Sequence, residues 1–419
     1  MFRAIDKWLP GYLRSIWHRP RDVAGPRHLL FCVADHFEPF GWVTRDGGGG
    51  PAGVSREDRM ALVETWAGQY PRSVEGVSDA DGHPPRHTFF CSPDDYDETW
   101  MNRLVALCRM GHAEVELHIH HRNDTAASLK EKLTSFRDLL RDRHGLLGSW
   151  RRTGVGFQVS GVRRRTNGEE VSVAVPSSLD VHSDIAYGFV HGNWALCNAR
   201  PDGDWCGVNE ELSVLNETGC YADFTYPSAP SPTQPIMVNS IYRAWDRPEG
   251  RGQESGVAVA TPEVRSHRSV VSSQAAEEED SAPRPSLMLI QGPLALDWRR
   301  RKWGFFPRID NGGITHFNPP APGRVDLWAK QHIHIGGRPE WVFVKTYCHG
   351  MIPSTSRVFL GGAMRRAHEH LQRRYNDGQG WSLHYVTARE MHNIARAAED
   401  GLSGNPGEYR DYAIAPPAF

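Results

Sequence analysis

Three histidines stand within four residues, at His118, His120 and His121, directly after a strand-like run at residues 114–117. A neutral imidazole is the commonest metal ligand in proteins. Because side chains alternate along a strand, His118 and His120 would share one face, whereas a turn after the strand could bring His121 beside His118. Either arrangement lets two nitrogen ligands converge without help from distant sequence. These histidines therefore predict a metal site.

Four other predicted strands carry groups of the same chemical kind at or near their ends. Asp35 and His36 follow the first strand, and His349 follows the strand that starts at Trp341. The remaining candidates are His191, Asn193 and Trp194, after the strand at residues 185–190, and Asp223, within the strand at residues 221–226. Histidines and carboxylates that reach one place from separate strands are what a metal-assisted hydrolase needs.

Strand-like and helix-like segments alternate over most of the chain. The predicted strands are residues 29–34, 86–90, 114–117, 155–160, 185–190, 221–226, 287–291, 341–347 and 383–386. This alternation predicts the α/β class with a largely parallel sheet, and the number of units favours a distorted (β/α) barrel of seven or eight strands. Barrel enzymes carry their chemistry at the carboxyl ends of the strands, which is where the histidines lie. Asp124 is expected to cap the helix that follows them.

The length of 419 residues allows one elaborated domain, which we place at residues 25–419. Residues 1–24 form a separate amphipathic segment, with apolar side chains at helical spacing. Packing against the main domain explains this segment best, and contact with a membrane surface is the less favoured alternative. Residues 247–285 are rich in Gly, Ser, Pro and charge, which predicts a flexible, disordered insertion.

Charge and cysteine usage exclude several classes of protein. The chain has 48 Lys and Arg against 50 Asp and Glu, so it shows no general electrostatic preference for nucleic acid. Its seven cysteines have no paired spacing, which fits a reducing compartment and argues against a zinc ribbon. We find no secretory signal and no run long enough to span a bilayer, so we expect a cytoplasmic protein.

The motifs resemble those of the polysaccharide deacetylases that share the NodB homology domain. In that family a strand ends in an Asp pair, and Asp35 and His36 occupy these two positions. The resemblance implies that Asp35 is the general base and that His36 binds the metal. The second motif of the family is matched by His118, but Arg122 stands where another ligand is usual. His120 or His121 would then supply the third ligand.

The resemblance extends over roughly residues 29–350. Residues 188–194 occupy the place of the Arg-x-Pro motif without its Arg, and residues 212–223 resemble the run that follows it. His349 matches the general acid of the closing motif. The resemblance implies a hydrolase that uses a divalent metal, best zinc, to remove acyl groups from an N-acetylated sugar in cell-surface polysaccharide metabolism. The groups assigned to the carbohydrate substrate are His191, Asn193, Trp194 and Asp223.

Two other functions remain open from the sequence. In an amidohydrolase-type barrel, His118 and His120 would act as a His-x-His metal pair. In a protein that has lost catalysis, the same fold would bind carbohydrate without cleaving it. His191 itself has three open roles, because it could contact substrate, bind metal or brace its loop.

Overall fold

The computed structural model describes residues 4–41, 53–151, 164–166, 169–171, 184–266 and 285–419. The strand predicted at residues 155–160 lies outside this part. In chain order the strands are β1 (Arg27–Phe37), β2 (His87–Cys91), β3 (Ala113–Ile119), β4 (Gly148–Trp150), β5 (Arg164–Thr166), β6 (Glu169–Val171), β7 (Ile185–His191), β8 (Cys220–Asp223), β9 (Ile241–Ala244), β10 (Val257–Ala258), β11 (Leu287–Ile290), β12 (Ala295–Lys302), β13 (Phe306–Asp310), β14 (Gly313–Ile314), β15 (Ile333–Ile335), β16 (Arg338–Cys348), β17 (Trp381–Tyr385) and β18 (Ile414–Ala415).

Helices that cover the sheet follow the strands β1, β2, β3, β7, β14, β16 and β17. The α-helices of the described part are α1 (Ile5–Trp17), α2 (Arg56–Ser73), α3 (Glu98–Arg109), α4 (Ala126–His144), α5 (Glu211–Glu217), α6 (Pro322–Ala329), α7 (Pro353–Leu360), α8 (Gly362–Tyr375) and α9 (Ala388–Glu399). Local sequence sets several of their starts. Ser55 and Thr387 form capping boxes with Asp58 and Glu390. Thr125, and not Asp124 as predicted, caps α4.

One large sheet has the strand order β10-β9-β11-β8-β7-β3-β2-β1-β16-β14. All neighbours from β11 to β14 pair in parallel, whereas β9 pairs with β10 and β11 in the antiparallel sense. The α/β class and the largely parallel sheet are therefore confirmed. A closed barrel is not, because β10 and β14 do not pair with each other in the described part. A single bridge, Ala260 to Gly336, brings the segment after β10 beside the end of β15.

Alternation along the strands divides the core into an interior side and an outer side. Cys32 and Ala34 of β1 belong to the interior cluster of apolar side chains, which also contains residues of α9. Phe31 and Val33 point the other way, into the layer beneath α6, α7 and α8. A second outer layer lies beneath α2, α3, α4 and α5. Residues two positions apart on a strand therefore face the same side of the sheet, whereas adjacent residues face opposite sides.

Helix α1 packs against the main body through one face. Its Trp8 and Tyr12 lie in an apolar cluster with Leu294, and the Tyr12 hydroxyl accepts a hydrogen bond from the backbone of Leu296. Leu13, Ile16 and Trp17 are exposed on the opposite face. In the described part, no helix combines the length and apolar character needed to cross a bilayer.

The predicted disordered insertion begins at residue 247, which is earlier than the structure supports. Residues 247–266 are described, and they include the buried side chain of Gln253 and strand β10, which pairs with β9. The compositional bias misled here because strand pairing and a few buried side chains, among them Val259 and Ala260, order this stretch. Residues 267–284 of the predicted insertion lie outside the described part.

Candidate metal centre

Four side chains meet at the carboxyl ends of β1 and β3 on the interior side of the sheet. His36 continues the alternation of Cys32 and Ala34 and is followed two residues later by Glu38. On β3, the odd-numbered apolar residues face the outer side, so His118 faces the interior, and His120 follows it. We call His36, Glu38, His118 and His120 the rim cluster.

Glu38 is the centre of the rim cluster. Its Oε1 lies 3.1 Å from Nε2 of His118 and 2.9 Å from Nε2 of His120. The two Nε2 atoms are 2.8 Å apart, and one ligand atom each from His36, Glu38 and His118 lie within 4.8 Å of one another. These three residues fit a metal ion in donor type and spacing.

A hydrogen bond to the backbone sets the orientation of the His118 ring. Its Nδ1 lies 2.8 Å from the carbonyl oxygen of Val190, so this nitrogen carries the proton and donates it. Nε2, the other nitrogen of this ring, points at the carboxylate of Glu38. Metal-binding histidines characteristically donate their second nitrogen in this way.

Burial and mutual repulsion lower the pKa of two imidazoles of the rim cluster, those of His36 and His120. Burial, with the neighbouring rings of His349 and His118, holds the pKa of His36 well below its usual value. Burial and His118 lower the pKa of His120 to about 4. Burial alone would raise the pKa of Glu38, but the surrounding histidines outweigh it and hold that pKa well below its usual value. Neutral imidazole and charged carboxylate are the forms that bind a metal.

His349 lies at the open edge of the rim cluster. Its side chain is 31 % exposed, and its Nε2 lies 3.6 Å from Oε2 of Glu38. The ring centroids of His349 and His36 are 4.7 Å apart. Every member of the rim cluster is buried, so a substrate would approach from the side of His349. This position agrees with the predicted role of a general acid.

Asp35 does not face the rim cluster, which corrects its prediction as the general base. Alternation turns its carboxylate to the outer side, where it is buried. Oδ1 accepts a hydrogen bond of 2.6 Å from the backbone N–H of Gly350, and Oδ2 lies 3.2 Å from Nδ1 of His87. The space that a Cβ at position 350 would need is filled by the Asp35 carboxylate. Asp35 therefore anchors the turn that carries His349.

His121 and His191 are also on the outer side, where they meet Glu211 of α5. The alternation of sides along β3 continues beyond the end of the strand. His121 therefore faces the outer side and does not turn back beside His118. His191, which we predicted as a substrate contact, is buried and has no route to a substrate in the described part. We call His121, His191 and Glu211 the outer cluster.

The other predicted substrate contacts lie at different depths. Trp194 is half-buried and edge-on to Tyr347, whose ring centroid is 6.3 Å from that of His36. Asn193, beside it, is half-buried. Asp223 is buried and accepts hydrogen bonds from the hydroxyl and the backbone N–H of Thr225, and burial raises its pKa to about 7. A substrate could therefore reach Asn193 and Trp194, which are partly exposed, but not the buried Asp223.

Three carboxylates near these clusters escaped the sequence-based assignment. Glu38 is two residues beyond His36, and strand alternation alone could have placed it on the same face. Glu211 opens α5, far from the histidines in sequence, and gave no such signal. Asp95 is buried, and burial followed by the charge of Glu38 raises its pKa to about 7.

Comparison with known proteins gives no relative from which a role could be transferred. No protein-family model matches the chain, and no curated protein sequence matches it significantly. The chemistry of the rim cluster therefore has to be argued from its own geometry.

Proposed function

We propose that the protein is a metal-dependent hydrolase that removes acyl groups, N-acetyl groups first, from a sugar in cell-surface polysaccharide metabolism. The observation that carries this proposal is the convergence of His36, Glu38 and His118 beside the partly exposed His349. Three protein ligands with one accessible side are the arrangement of a catalytic zinc site, whereas structural sites are closed. The resemblance of Asp35-His36 and His349 to deacetylase motifs suggests the substrate class.

A zinc ion in the rim cluster would polarise the acyl carbonyl and lower the pKa of a bound water. Glu38 Oε2 faces His349 and not the two imidazoles, so it can accept the proton of the attacking water. His349 then donates a proton to the nitrogen of the sugar as the C–N bond breaks, which yields a carboxylate and an amine. Asp35 holds the turn of His349 in place, and Trp194 and Tyr347 form an aromatic wall suited to a sugar ring.

The direct test is release of acetate from N-acetylated oligosaccharides by the zinc-loaded protein. We expect release that depends on zinc and that Glu38→Gln removes. A zinc-loaded protein that binds these oligosaccharides without releasing acetate would instead support the non-catalytic carbohydrate-binding function.

One observation favours a second candidate, an amidohydrolase-type reaction on a substrate without a sugar. His118 and His120 converge as a His-x-His pair, with Nε2 atoms 2.8 Å apart. A panel of N-acyl amino acids and cyclic amides, assayed beside the oligosaccharides, separates the two candidates. Turnover of these amides alone would favour the amidohydrolase-type reaction.

A further inference from the structure

The outer cluster brings two imidazoles and one carboxylate to a single buried point. Nε2 of His121 and Nε2 of His191 lie 3.4 Å and 3.5 Å from the same atom, Oε1 of Glu211. The two ring centroids are 4.6 Å apart, and all three side chains are at most 2 % exposed. No part of this arrangement belongs to the rim cluster, from which the sheet separates it.

Each member of the outer cluster has a polar neighbour on the side away from the common point. Nδ1 of His191 donates to the carbonyl of Gly192, and Nδ1 of His121 lies 3.2 Å from Oδ2 of Asp124. Oε2 of Glu211 accepts the backbone N–H of Cys197 at 2.6 Å. Such partners leave one donor atom of each residue aimed at a common point, as second-shell groups do around bound metals.

His191 has an unmet hydrogen-bonding capacity inside this cluster. Its Nδ1 carries the donated proton, so Nε2 is a lone pair, and within the described residues it has no hydrogen-bond partner. A buried acceptor without a partner calls for an ion or a water. The carboxylate of Glu211 is held in place beside it and fills the space that a Cβ at Gly207 would need.

We propose that the outer cluster is a second metal site, which binds zinc through Nε2 of His121, Nε2 of His191 and Oε1 of Glu211. Two histidines and a glutamate are a ligand set that zinc accepts. The three ligands are buried beneath the helices, so the site is structural and not catalytic. This proposal is independent of the hydrolase function, because no residue of the rim cluster takes part in it.

The ion would tie together the ends of β3 and β7 and the start of α5. His191 is followed directly by Gly192, and a Cβ at position 192 would lie only 2.3 Å from Nδ1 of His120. The turn after β7 is thus pressed against a ring of the rim cluster. A zinc ion in the outer cluster would hold that turn and thereby limit the positions open to His120.

The metal-free rival is an ion triad, with a protonated His121 between Asp124 and Glu211. The two models differ in metal content, measured by mass spectrometry on the zinc-loaded, desalted full chain. We expect two zinc ions per chain, one after Glu211→Gln and one after Glu38→Gln. The matched control Glu217→Gln, on the exposed side of α5 at 47 % side-chain exposure, should keep both. A zinc content that Glu211→Gln leaves unchanged would overturn the second site.

A milder variant covers the case in which Glu211→Gln does not fold. Asp124→Ala keeps all three ligands and removes the acceptor beside Nδ1 of His121, together with the ion pair to Lys132, so zinc affinity at one site should fall about 10–100-fold in a chelator competition. Asp138→Ala, which removes an exposed ion pair on α4, is its control. Equal affinities in Asp124→Ala and wild type would contradict the proposal. Neither readout depends on acetate release, so failure of the hydrolase function leaves this test intact.

Discussion

The rim cluster and the outer cluster use the same kinds of residue to opposite effect. Each contains a glutamate and a histidine from the end of β3 or the residues just after it, and these histidines differ by a single step in strand parity. The rim cluster has His349 on its open side, whereas helices cover the outer cluster. The comparison indicates that position relative to the sheet, and not residue type, separates a site suited to reaction from one suited to holding the fold.

The largest expected effect comes from removing a central ligand of the rim cluster. His118→Ala should lower the rate of acetate release by about 10³-fold or more, because metal-supported polarisation and water activation are lost together. Zinc content should fall by one ion, while His18→Ala, an exposed control on the turn after α1, changes neither quantity. Retained activity in His118→Ala would place the reaction elsewhere and break the comparison.

Replacing His349 distinguishes a metal ligand from a proton donor. In His349→Gln we expect kcat to fall about 10²–10⁴-fold, the usual contribution of a general acid, with zinc content unchanged. Substrates with a better leaving group should recover much of this loss. A loss of zinc from His349→Gln would instead make His349 a fourth ligand and close the rim cluster.

A third buried group of charges is held together by arginines. Glu390 pairs with Arg86 and Arg410 at 2.5 Å and 3.0 Å. Burial opposes its charge, but these arginines outweigh burial and lower its pKa from 4.5 to about 2. Glu390→Gln removes the carboxylate that pairs with Arg86, whereas Arg410 keeps Asp79 and Asp81, and it should lower the free energy of unfolding by about 3 kcal/mol.

The pH dependence of that loss follows from the sign of the shift. Because the folded state lowers the pKa of Glu390, its contribution is complete above pH 4.5 and disappears as the pH falls through about 2. Urea titrations of wild type and Glu390→Gln should therefore converge as the pH falls through that window. Zinc chelation should leave this difference unchanged, and a chelator-sensitive difference would show that the network is coupled to a metal.

The smallest effect is expected for Asp35, and it decides between two roles. If Asp35 only anchors the turn of His349, Asp35→Asn keeps an acceptor for Gly350 and should lower kcat by roughly tenfold, through slight misplacement of His349. The pH profile should keep its ascending limb. A loss of that limb together with a fall of 10²-fold or more would restore Asp35 as the general base.

Sequence periodicity predicted the class of the fold and the rim cluster in outline. Strand alternation predicted that His118 and His120 share one face. The same alternation also holds for His121, which faces the other side, although a turn that would bring it beside His118 was the alternative. The contacts of Asp35 could not be predicted, since His87 and Gly350 are 52 and 315 residues away. Glu211 joins the outer cluster only because α5 packs beside β8 and β11. Such pairings depend on the order of strands in the sheet, which no local pattern encodes.

The pairing of β1 with β16 has a consequence for how the protein is made. Residues 28–35 cannot find their partner strand until residues 341–348 have been synthesised. During translation, therefore, the outer cluster, whose members all lie between residues 121 and 211, can assemble on the ribosome, whereas His349 reaches the rim cluster only after residues 212–349 have also been synthesised. A nascent chain would be able to take up structural zinc long before it could turn over a substrate.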